Sequence, residues 1–72
     1  MYKYFKVRTE EEARDPLGKK IVHKRTEYVT AKDSGAIVED YLRRYGEHLL
    51  SLDSVEVDEK RIKRNTRIYV VV

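Results

Sequence analysis

The sequence predicts an α+β domain in which two strands, one helix and two further strands (ββαββ) form a four-stranded mixed sheet packed on the helix. Three stretches carry that expectation. "YKYFKVR" alternates in the manner of a half-buried strand, "DSGAIVEDYLRRYG" sets its apolar residues at helical spacing, and "RIYVVV" is apolar on both of its faces. The 72 residues are read as a single domain, 1–72. A domain of this size buries only about 60% of the surface its unfolded chain exposes, which leaves no room for a deep enzymatic cleft.

In the first strand Phe5 and Val7 face the core, while Tyr2, Tyr4, Lys6 and Arg8 take the opposite side. "TEEEARDPLG" starts with Thr9 three residues before Glu12, a capping-box spacing, and Asp15 before Pro16 must be extended, so any helical turn here stops by Arg14. Pro16 and Gly18 then suit the second and fourth positions of a type I turn.

The second strand, "KIVHKRTEYVTA", is rich in β-branched residues but alternates poorly. With Val29 and Ala31 inward, His23, Arg25 and Glu27 share their face, a conflict that a β-bulge or an arm reaching beyond the core relieves. The helix over residues 34–45 has Asp33 or Ser34 as its N-cap and Gly46 as its stop. Its apolar stripe is Ile37, Val38, Tyr41, Leu42 and Tyr45, with Arg43 and Arg44 near the carboxyl end of the dipole. "SVEVDEKRI" reads as a third strand with Val55, Val57 and Ile62 inward, and "KRNT" as a hairpin turn into the fourth. In that fourth strand Ile68, Val70 and Val72 are expected to face the core, with Tyr69 and Val71 opposite.

A right-handed crossover through the helix makes the third strand parallel to the second and the fourth parallel to the first, giving the sheet order 2-1-4-3. Two hairpins flanking one helix, with the first and last strands parallel at the centre, resemble the β-grasp arrangement of ubiquitin-like proteins. The resemblance is one of topology. With no Gly-Gly after Val72 it implies no conjugation.

The chemistry available is limited. Without cysteine there are no disulfides, thiolate ligands or sulfur nucleophiles. His23 and His48 lie on different elements with no metal-ligand spacing, and Asp53, Glu56, Asp58 and Glu59 lack the glycine turn of a calcium loop. Ser34, Ser51 and Ser54 have no nucleophile-elbow motif. "KDSGA" is too short to cradle phosphate and reads as a helix cap. No catalytic residue, metal, cofactor or small-molecule substrate is expected. With no long apolar run and no apolar leader in "MYKYFKVR", the chain is read as cytoplasmic and without a membrane partner. Charged residues make up 40% of the chain, with no Gln and a single Asn, a composition like that of heat-adapted proteins.

The net charge of +3 is segregated: residues 19–25 carry +4, residues 34–59 carry −5 and residues 60–72 carry +5. The face of the sheet left uncovered by the single helix would display Tyr2, Tyr4, Lys6 and Arg8, with Lys24 and Tyr28 from the second strand and Tyr69 from the fourth. Tyr and Arg are favoured at protein interfaces. The leading expectation is therefore a small noncatalytic accessory or regulatory module that binds a protein partner, or its own copy, through this face or a sheet edge. The alternative is a single-stranded nucleic-acid-binding module, in which the tyrosines stack bases while Lys6, Arg8, Arg61, Lys63 and Arg64 neutralise phosphates.

Overall fold

The computed structural model describes residues 2–72. Its longest feature is a hairpin of two twelve-residue strands, β1 (Lys3–Arg14) and β2 (Lys20–Ala31). At about 3.4 Å per residue such a strand spans about 40 Å, which accounts for the long dimension of 42 Å in a molecule otherwise 24 by 16 Å. The turn is closed by Gly18 N–H donating to the Asp15 carbonyl at 2.9 Å, while Asp15 Oδ1 accepts from the amides of Leu17 and Lys19 at 2.9 and 2.8 Å. Gly18 sits at φ +84°, where a side chain is strained. Pro16 and Gly18 thus occupy the turn positions their chemistry predicts.

The capping-box spacing of Thr9 and Glu12 starts no helical turn. β1 runs straight through these residues, with Glu10 opposite Lys24, Glu12 opposite Val22 and Arg14 opposite Lys20. The charge pattern supplies the reason. The acids of residues 10–12 face the cations of residues 19–25 across the hairpin, including Glu12–Lys20 at 3.8 Å and Glu11–Arg25 at 3.6 Å. Cross-strand pairing satisfies these acids where a capping box would have used only one of them. The basic segment 19–25 is therefore in large part the counter-charge of its own hairpin partner.

β2 keeps its register with β1 throughout, so the conflict in its pattern is relieved by the arm: His23 is exposed, while Arg25 and Glu27 are half-buried at the edge of the core. The one irregularity lies on the other side of β1, between Glu10 and Glu11, where β3 (Leu49–Val57) pairs antiparallel.

Helix α1 (Ser34–Tyr45) begins at Asp33, whose Oδ1 accepts from the Ala36 amide at 2.8 Å. It ends at Gly46, at φ +55°, whose N–H donates to the Leu42 carbonyl. The stripe is narrower than the sequence implies. Ile37 and Tyr41 are buried together with Asp40, whereas Val38 and Leu42 point away from the sheet. A single helix lying on a sheet buries one line of residues, and positions 38 and 42 lie off that line.

The chain continues through a short 3-10 turn (Gly46–His48), β3, a second 3-10 turn (Glu59–Arg61) and a three-residue strand, β4 (Ile68–Val70). The four-stranded mixed sheet on one helix is as expected, but its order is β3-β1-β2-β4. β3 and β4 are both parallel to β2, and β4 is an edge strand rather than a central one. The central pair is the antiparallel β1–β2 hairpin, so the β-grasp arrangement does not hold. "KRNT" does make a turn, with Thr66 N–H donating to the Lys63 carbonyl at 3.0 Å, but it joins no hairpin. Residues 58–67 instead carry the chain from one edge of the sheet to the other, about 14 Å at ordinary strand spacing.

The core is Phe5, Val7, Val29, Ala31, Ile37, Tyr41 and Val71, bordered by Ala36, Tyr45, Leu49 and Leu52. Among the described residues no helix is long and apolar enough to cross a membrane.

Candidate functional site

Phe5 and Val7 on β1 and Val29 and Ala31 on β2 are buried beneath α1, which fixes the side of every other strand residue. Paired residues share a face, so the surface turned away from the helix can be read row by row. One row is Val57, Tyr4, Thr30 and Val70, and the next is Val55, Lys6, Tyr28 and Ile68. Below them come Asp53, Arg8 and Thr26, then Ser51, Glu10 and Lys24. The upper rows form an apolar field with Lys6 within it, and the lower rows are charged. Val55 and Val70 are each 55% exposed and Tyr2, just ahead of β1, is 51% exposed, while Tyr4, Tyr28, Val57 and Ile68 are half-buried.

Of the residues singled out from the sequence, the fold brings Tyr4, Lys6, Arg8, Lys24 and Tyr28 onto this one face, with Tyr2 adjoining. Arg61, Lys63 and Arg64 are exposed in the connection between β3 and β4, outside the strands that build this face. Lys19 and Lys20 stand at the far tip of the hairpin, so the basic segments form no continuous stripe.

Tyr69 is on the opposite face. Val29 pairs with Tyr69, and Val71 two residues on is only 2% exposed. The phase of β4 is thus the reverse of the expected one, because the buried valine is Val71 and not Val70 or Val72. The same reversal moves Ile68 and Val70 to the open face. Val55 and Val57, also expected inward, join them because Leu52 and Ser54 pair with Thr9 and Val7 on the helix side. These four aliphatics are the part of the candidate surface that sequence reasoning missed.

On the helix face Tyr69 completes an aromatic enclosure around Arg44. The guanidinium carbon lies 4.3 Å from the Tyr69 ring centroid, 4.5 Å from that of Tyr41 and 5.2 Å from that of Tyr45. Arg44 also donates to Asp40 at 3.0 Å and lies 3.7 Å from Glu27, which accepts the Tyr41 hydroxyl. Arg25 donates to the Tyr45 hydroxyl and continues the chain of charge to Glu11. Burial first, then the hydrogen bond to Glu27 and the charge of that carboxylate, push Tyr41 well above the ordinary tyrosine range, with Arg44 acting in the opposite sense. Tyr41 is therefore a hydrogen-bond donor locked in its neutral form. Because no buried side-chain polar atom among the described residues lacks a partner, the cluster is a clamp that fastens α1 and β4 to β2.

Two grooves accompany these features. One of about 590 Å³ runs between β2 and the approach to β4, lined by Thr26–Tyr28 and Thr66–Val70. Another of about 270 Å³ lies among Arg8, Glu10, Lys24, Ser51 and Asp53 in the charged rows. No group of three or more His, Cys, Asp or Glu side chains among the described residues is placed to hold a metal ion. Comparison of the chain with protein-family models, with curated proteins and with solved structures finds no match.

Proposed function

We propose that this protein is a small noncatalytic accessory module that binds a protein partner through the open face of its sheet. The observation that carries the reading is the apolar field of Tyr4, Tyr28, Val55, Val57, Ile68 and Val70, built by all four strands on a face no helix covers. A chain of 8.6 kDa that leaves so many large apolar side chains half-exposed on one face has the signature of an interaction surface. Stiff aromatic rings at the centre with cations beside them match the anatomy of a protein interface. Lys6, Arg8 and Lys24 adjoin the field together with Glu10 and Asp53, so the complementary surface is apolar at its centre and of mixed charge along one side.

The test uses the immobilised chain alongside Tyr28→Ala and Val55→Ser variants. Neither residue belongs to the buried core, so both variants should melt near the parent temperature yet lose the proteins the parent retains. Retention of the same proteins by folded variants would remove the open face from the account.

One observation favours the nucleic-acid alternative. Tyr4 and Tyr28 lie on the two central strands of a single face, with Lys6 directly opposite Tyr28 and Arg8 in the next row. A single-stranded oligonucleotide stacked there would bind with a log–log salt slope of about −0.7 per phosphate contact. The withdrawal of Tyr69 to the helix face and the carboxylates Glu10 and Asp53 in the charged rows weigh for the protein reading. Titration of labelled single-stranded oligonucleotides at two salt concentrations separates the two.

A further inference from the structure

Both edges of the sheet are open, and they differ in charge. β4 covers only Tyr28–Thr30 of β2, so residues 20–26 of β2 present an unpaired edge. That stretch contains Lys20, Lys24 and Arg25 and no acid. At the other edge β3 is paired on one side only, and from Leu49 through Glu59 the chain contains Asp53, Glu56, Asp58 and Glu59 and no base.

The backbone directions follow from one hydrogen bond. Val71 N–H donates to the Thr30 carbonyl at 2.9 Å, so the polar groups of Thr30 turn toward the β4 side, and alternation turns those of Val22, Lys24 and Thr26 the same way. Carried across β1, the same alternation turns those of Leu52, Ser54 and Glu56 outward from β3. An unpaired row of this kind is a template for another strand.

We propose that the chain assembles with itself head to tail, β3 of one copy adding parallel to the free edge of β2 in the next. This concerns the edges and stands apart from the open-face reading. With Val57 of one copy opposite Thr26 of the other, the incoming strand stops short of the residues of β2 that β4 pairs, beside the Thr66–Arg67 approach to β4. In that register Asp53 faces Val22 between Lys20 and Lys24 on one side of the joined sheet, and Glu56 faces Arg25 on the other. Lys20 and Arg25 then share their charge with Glu12 and Glu11 of their own β1, and Glu56 with Lys3, leaving Lys24 and Asp53 as the pair without an ion-pair partner among the described residues of their own chain. Charge also selects against the symmetric alternatives. Pairing two β3 edges brings together Asp53 and Glu56 of both copies, and pairing two β2 edges gathers Lys20, Lys24 and Arg25 twice. A head-to-tail contact leaves one free edge of each kind at the ends, so assembly continues beyond the dimer.

The test is sedimentation of the full chain over a concentration series, with Lys24→Pro and Ser54→Pro variants. Both amides point outward, so each proline blocks one edge without removing a hydrogen bond inside the sheet. The parent should show a mass rising past that of two chains as concentration increases, and less so in high salt. Each variant alone should remain at 8.6 kDa, and an equimolar mixture should form a one-to-one complex and nothing larger. A variant that dimerises alone, or a parent that stays monomeric throughout, overturns the proposal. Should a proline variant fail to fold by circular dichroism, charge reversal takes its place. Lys24→Glu and Asp53→Lys should each weaken association by about tenfold, and the double variant should recover it. Failure to recover counts equally against the proposal.

Discussion

Replacing the three terminal valines one at a time separates the two possible phases of β4. Val71 is 2% exposed, whereas Val70 is 55% and Val72 101% exposed. Val71→Ala removes two methyl groups from beneath the helix, about 1.6 kcal/mol at roughly 0.8 kcal/mol per buried methylene. The cavity left behind raises the total to about 2–2.5 kcal/mol. Val70→Ala and Val72→Ala remove mostly solvated groups and should each cost about 0.5 kcal/mol or less. A domain of this size has only a few kcal/mol of net stability, and 1 kcal/mol shifts its melting temperature by about 4–8 °C. Thermal melts followed by circular dichroism should therefore place Val71→Ala roughly 8–20 °C below the parent, with the other two within a few degrees of it. If Val70→Ala cost as much as Val71→Ala, the assignment of Tyr69 to the helix face, and of Ile68 and Val70 to the open face, would be refuted.

The clamp makes its own predictions. Arg44→Leu should cost about 2–3 kcal/mol, since it removes three tyrosine contacts and leaves the carboxylate of Asp40, only 8% exposed, without its partner; a double-mutant cycle of Arg44→Leu with Tyr69→Ala in urea should return a coupling of about 0.5–1 kcal/mol. Tyr41 is held above its unfolded value, so its contribution is fully present below about pH 10 and is lost as pH rises through the unfolded value toward the raised one. Tyrosinate absorbance should show one of the six tyrosines ionising only as the chain unfolds, and Tyr41→Phe should remove that coincidence. Gly18→Ala places a side chain at φ +84° and should lower stability by about 1 kcal/mol in denaturant titration, with the hairpin otherwise intact.

What was legible in the sequence is what local chemistry decides. Asp33 and Gly46 bound the helix, and Pro16 and Gly18 make the turn, because caps and turns depend on residues a few positions apart. Tyr4, Lys6 and Arg8 could be placed on one face because Phe5 and Val7 fix the phase of the strongly alternating first strand, and Lys24 and Tyr28 join them once Val29 is taken as inward in the poorly alternating second. The strand order was not legible. Both the expected and the observed order put β1 beside β2, and which later strand takes the other edge of β1 is decided by contacts between residues far apart in the chain, with no local signal. Within the hairpin, the Thr9–Glu12 spacing that reads as a capping box is outweighed by the acid-to-base pairing with residues 19–25. Alternation gives the period of a strand but not its phase. In "RIYVVV" both phases bury apolar residues equally well, and in "SVEVDE" the valines look inward until Leu52 and Ser54 are seen to pair with Thr9 and Val7. Tyr69 changed faces for that reason, and with it the chemistry it was expected to do.

The proposal that the open face receives a protein is tested most directly by photo-crosslinking in the cell from two positions. A photoreactive phenylalanine analogue in place of Tyr28 probes the centre of the open face, and one in place of Val38 probes the outer side of α1, which faces away from the sheet. The account predicts a protein adduct from position 28 that is absent from position 38 and disappears when Val55→Ser is added. An adduct to nucleic acid from position 28, or the same protein adduct from both positions, would contradict it.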